Sequence, residues 1–179
     1  MKKTLREKWS LLCGIHTYTK KFFLLAEEYN LEMKTFIQPM KEQRDAYEHI
    51  VRAYGEILES EQEDDEYVLK NFDKAISHEY RAYFDALDFL TISIRERIHH
   101  ELEYFSYEQI VSVFPDYTEL KAKLSEFPQI IANLRIKKDI GSVDRLELVK
   151  EYAEVGDYLL EIYQVICKKV LPLLVDEQN

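Results

Sequence analysis

The fold is decided by 72-FDKAISHEYRAYFDALDFLTISIRERIHHELEYF-105. Phe72, Ile76, Tyr80, Tyr83, Leu87, Leu90, Ile94, Ile98, Leu102 and Phe105 recur through it at steps of three and four, with no Gly or Pro between them. That spacing is one face of a single helix. Extended back to about Asp65, the helix is ~60 Å long at ~1.5 Å per residue, against the ~30 Å scale of a small domain. The length predicts either an elongated bundle or a helix that packs in part on another copy.

The flanking sequence carries the same period. From Thr4 to Tyr29 the stripe is Leu5, Trp9, Leu12, His16, Thr19, Phe23 and Ala26, with a break expected near Asn30. A second helix is expected from Glu32 or Gln38 to Ser60, starting or bending at Pro39. Phe36, Met40, Tyr47, Val51, Tyr54 and Leu58 are expected on its buried side. The acidic run 59-ESEQEDDE-66 reads as a solvated connection and a first turn. Phe114-Pro115-Asp116 breaks the chain, a short helix follows over Tyr117 to Glu126, and Pro128 interrupts or restarts it. After the stop at 137-KKDIGS-142 the final helix opens, with Ser142 as N-cap and Asp144 in its first turn. Its stripe is Leu146, Val149, Tyr152, Leu159, Tyr163, Ile166 and Val170, and Pro172 closes it. The expectation is an all-α, elongated bundle of four main helices, with one or two short helices between the third and the last. Residues 1–179 are expected to form a single domain.

Composition agrees. Gly and Pro number 4 each in 179 residues, so tight turns are few and elements long. The net charge of −10 repels a phosphate backbone at long range. Short basic runs such as Lys20-Lys21 and Lys168-Lys169 read as solvated helix ends. Cys13 and Cys167 match no metal or redox spacing and read as reduced thiols. Arg6, Glu7 and Lys8 interrupt any leader-like apolar run, and no stretch has the length and apolarity of a membrane span. A cytoplasmic protein without membrane attachment is expected.

Two stretches place Arg and His five apart: Arg44 to His49 in 42-EQRDAYEHIVRAY-54, and Arg95 to His100 in 95-RERIHHELEYF-105. Random placement of 8 Arg and 5 His yields roughly 0.2 such pairs, so two copies exceed chance. Asp45 and His49 stand at i and i+4 and can touch, and a carboxylate on one imidazole nitrogen fixes the tautomer of the other. Arg44 and His49 point ~140° apart around the axis. They can still meet on a phosphate where a second helix supplies the opposite wall. The histidine then moves a proton and the guanidinium holds phosphorane charge. Read as helix chemistry alone, Arg44, Glu48 and Arg52 form a ladder of alternating charge, and Asp45 with His49 is another surface pair.

A helical bundle with an Arg, a polar residue, three positions and a His resembles the HEPN superfamily. Its members are all-α, usually dimeric, and many are metal-independent ribonucleases of toxin, CRISPR and abortive-infection systems. The resemblance implies Arg44 and His49 as the catalytic pair with Asp45 as the supporting polar residue. Arg95 and His100 are the second candidate, with Glu96 in the polar position. It implies a homodimer with RNA as substrate, and no cofactor or metal. Glu96-x-x-His99 is half of a di-iron motif, but no second half exists. The alternative is a non-catalytic helical interaction or scaffold protein that homodimerises or binds a protein partner. Its tyrosine-rich stripes are the feature that favours it.

Overall fold

The computed structural model describes residues 2–32, 36–59, 64–138 and 144–176. Among them every regular element is helical: α1 (Lys2–Tyr29), α2 (Ile37–Glu59), α3 (Asp65–Leu102), α4 (Tyr107–Val113), α5 (Tyr117–Lys138), α6 (Arg145–Val165), a π-helical turn (Ile166–Val170) and α7 (Leu171–Asp176). The chain forms two compact units, one of Met1–Glu28 with Met33–Leu90, the other of Tyr29–Glu32 with Thr91–Asn179. The long helix α3 belongs to both.

In the first unit, α1 and α2 bury one face each against α3. Ile15, Phe22 and Ala26 come from α1, Ala46 and Ala53 from α2, and Val68, Phe72, Ile76, Tyr83 and Leu87 from α3. The α3 stripe is buried as its spacing predicts, from Phe72 to Leu102. On α1 the buried aromatic is Phe22, one position before the expected Phe23. Trp9, Tyr54 and Phe72 meet edge to face where the three helices converge, with centroids 5.9 to 6.2 Å apart.

Of the side expected to be buried around α2, Phe36 is buried and the other five residues are not. Met40, Tyr47, Val51, Tyr54 and Leu58 lie on the solvent side, between 40% and 77% exposed. The helix is seated instead through the small residues Pro39, Ala46 and Ala53. Small side chains let α2 lie close to the other helices, while the large apolar stripe is rotated away from them.

The second unit packs α5 and α6 against the C-terminal part of α3, with Ile98, Phe127, Ile131, Leu148, Val149, Tyr152 and Leu159 buried. Ser106 and Gln109 form a capping box that starts α4, each side chain bonded to the other's backbone amide. Helix α5 runs 22 residues with Pro128 inside it, so the expected interruption does not occur. Asp144, not Ser142, caps α6, accepting from the amides of Leu146 and Glu147 at 2.8 and 3.1 Å. Ser142 and the acidic stretch 60–63 lie outside the described residues. The chain stays helical past Pro172, so the expected stop does not occur there.

Candidate functional site

In the first unit a cluster of polar side chains lies along the seam between α2 and α3. His49 leaves α2 toward α3, and its Nδ1 lies 2.9 Å from Asn71 Oδ1. Asn71 donates its own amide to the Tyr67 carbonyl at 3.0 Å, which turns Oδ1 toward the imidazole. The proton of a neutral His49 therefore sits on Nδ1, and Nε2 carries the lone pair. His78, from α3, stacks on this ring with centroids 5.4 Å apart and planes 25° apart.

His78 Nδ1 lies 2.8 Å from Glu42 Oε2 and 2.6 Å from Arg81 Nη2. Arg81 Nε donates to the same carboxylate oxygen at 2.8 Å. A guanidinium only donates, so one nitrogen cannot serve both neighbours at once. Without a proton, His78 Nδ1 accepts from Arg81. With one, it donates to Glu42. The cluster is partly covered: the Glu42 side chain is 14% exposed and that of Arg81 45%.

The expected pair is divided by this geometry. Arg44 lies on the exposed side of α2, its Nε and Nη2 donating to Asp45 at 2.9 and 2.6 Å. That guanidinium holds the Asp45 carboxyl below its usual range, with smaller contributions from His78 and His49. The same hydrogen bond raises Arg44 above its ordinary value. The hydrogen bond of His49 goes to Asn71, not to Asp45. Asn71, His78 and Arg81 escape a local motif search because they stand 22 or more residues from His49. Their signal is the polar spacing i, i+7, i+10 along α3, opposite Glu42 and His49.

A second polar group lies beneath α1. The buried carboxylate of Glu79 is 3.1 Å from His16 Nδ1 and accepts from Gln43 Nε2 at 3.3 Å. His16 itself is largely exposed.

In the second unit, Arg95 and His100 also part. Arg95 donates from Nε to the Thr91 carbonyl at 3.0 Å and lines a cleft of about 440 Å³ with His99, Tyr107, Tyr117 and Lys121. His100 is exposed, with Nδ1 3.0 Å from Glu103 Oε1. Among the described residues no three His, Cys, Asp or Glu side chains are grouped to hold a metal ion. No described helix is long and apolar enough to cross a membrane.

Compared with protein-family models, curated proteins and solved structures, the chain matches none.

Proposed function

We propose that the chain acts on RNA as a HEPN-like ribonuclease, with the α2–α3 histidine pair as its proton-transfer machinery. The observation that carries this reading is the stack of His49 on His78, each ring engaged through Nδ1. Fixing Nδ1 leaves Nε2 of each ring for chemistry. His49 Nε2 takes the proton from a ribose 2′-hydroxyl, and O2′ attacks the adjacent phosphorus. The bond from phosphorus to O5′ breaks, and His78, protonated on both nitrogens, gives the Nε2 proton to O5′. Its Nδ1–H donates to Glu42 throughout. The products are a 2′,3′-cyclic phosphate and a 5′-hydroxyl. Arg81 beside the pair supplies phosphorane stabilisation, the role expected of Arg44.

The test is cleavage of a labelled RNA pool in excess EDTA. Wild type is expected to cut, and His49→Ala and His78→Ala to lose roughly 10²-fold or more of the rate, the usual scale of an acid or base. Arg81→Ala is expected to cut more slowly, and His100→Ala to match wild type. Loss in Arg44→Ala with full activity in Arg81→Ala returns the phosphate role to Arg44. A wild type that cuts nothing, on pools of varied sequence and structure, removes the nuclease reading.

The exposed stripe on α2 favours the second reading, a non-catalytic interaction protein. It leaves the histidine pair as a structural seam and expects no cleavage.

A further inference from the structure

Ile37, Met40, Arg44, Tyr47, Val51, Tyr54 and Leu58 follow one another at steps of three, four, three, four, three and four. This is the seam of a coiled coil, with Ile37, Arg44, Val51 and Leu58 in one register position and Met40, Tyr47 and Tyr54 in the other. Every apolar member is between 40% and 77% exposed, so among the described residues the seam is largely uncovered, with Tyr54 alone in ring contact with Trp9 and Phe72. Trp9, itself 40% exposed, packs on Tyr54 and widens the patch onto α1.

We infer that this seam pairs with the same seam of a second copy, antiparallel, about a two-fold axis between Asp45 and Ala46. The inference deepens the interaction reading and does not depend on cleavage of RNA.

Three observations select this occupant and this direction. The first is area. Taking ~100 Å² for each half-exposed large side chain, the patch offers on the order of 600 Å² per copy. The apolar stems of Lys41 and Arg44 bring it close to the ~800 Å² per partner of a standard interface. A patch of that size is at the upper end of what a monomer leaves open.

The second is Arg44, the one charged residue in the seam. Parallel pairing sets Arg44 against Arg44 of the other copy in one layer, like charge on like charge. Antiparallel pairing sets it on Tyr47 of the second copy, where a guanidinium stacks favourably on the ring. A single polar residue in such a seam selects register and orientation. The further layers are then Ile37 with Tyr54 and Met40 with Val51, and Leu58 lies beyond the last of them.

The third is charge complementarity along the solvent edge. About the same axis, Glu48 of the second copy comes opposite Gln43, one residue from Arg44 and two from Lys41, ~3 Å along the helix. The pairs occur twice by symmetry. In one chain Glu48 is paired with Arg52, and that exposed ion pair has room for further cations.

Sedimentation velocity of the full chain, from about 1 to 100 µM, is the measurement, with circular dichroism to verify folding. Wild type is expected to sediment as a dimer. Tyr47→Glu buries two carboxylates at the centre of the interface and is expected to give a monomer of unchanged helicity, because Tyr47 is 66% exposed in the single chain. Glu48→Lys places like charges together and is expected to raise the dimer Kd by at least about tenfold. Combining it with Lys41→Glu and Arg44→Glu is expected to bring the Kd back. A monomeric wild type, or a dimer indifferent to Tyr47→Glu, overturns the proposal. Failure of the charge exchange to restore pairing overturns the antiparallel arrangement. None of these readings involves RNA, so they stand apart from the cleavage assay.

Discussion

Phe72→Ala is expected to lower the free energy of unfolding by about 3–5 kcal/mol, the range for deleting a fully buried aromatic ring. Phe72 has no exposed surface and packs with Ala53 and Val68, which have none either. Its ring also takes the edge-to-face contacts of Trp9 from α1 and Tyr54 from α2. Such contacts add about 0.5–1.5 kcal/mol each beyond burial. The aliphatic neighbours Ala53 and Val68 are short or branched, and the aromatic ones are held on two other helices, so together they close poorly over the void. The loss is a large share of the ~5–15 kcal/mol that holds a typical domain. Trp9 is the single tryptophan, so its fluorescence reports this junction directly. Urea titration followed by fluorescence and circular dichroism measures the midpoint shift. Phe72→Leu, which keeps most of the apolar volume, is expected to lose less than half as much. A drop below about 1 kcal/mol for the alanine variant would mean that Trp9 and Tyr54 collapse into the space.

Pro128→Ala is expected to act in the opposite direction, raising stability by about 2 kcal/mol. Proline inside a helix removes one amide donor and presses its ring on the carbonyl of residue 124, at a cost near ~3 kcal/mol. Alanine removes that cost. It also frees the unfolded chain, which returns about 0.4–1 kcal/mol to the other side. Pro128 is exposed, so no packing is lost with the ring. A thermal melt reads the result as a higher Tm. An unchanged or lower Tm would show that α5 has adapted its backbone around the proline and gains nothing from alanine.

Pro128 also marks a limit of reading a fold from sequence. A proline between helical stripes reads as an end, because the local cost is visible and the tertiary return is not. Here Phe127, Ile131 and Leu134 are all buried on one side of α5, and their packing carries the helix through. The α3 stripe was legible because it is long, uninterrupted and buried along its length. The α2 stripe was legible as a helix face but not as an exposed one. Periodicity says that a helix has an apolar side and is silent about what covers it. The residues that seat α2 are alanines and a proline, which carry little hydrophobic signal. The candidate site was half legible. His49 stands out within a short motif, yet its partners Asn71, His78 and Arg81 come from another helix and become visible only when the two are laid together. Arg44 matched the motif by spacing, but five residues along a helix turn the two side chains to different faces.

The π-helical turn at Ile166–Val170 has a consequence for the chain's C-terminal end. A turn of i to i+5 bonds takes up one residue more than an α-turn and so slips the phase of everything beyond it. Each residue of slip is worth ~100° of rotation. Without the wide turn, α7 would present a different edge to α4, on which it packs, and Leu174 would lose its place in the interior. The segment after Val170 is thus tuned in angle by a length. Deleting one of Cys167, Lys168 or Lys169 removes the surplus residue and leaves the contacts beyond it in phase, whereas deleting a residue after Val170 shifts every contact that follows.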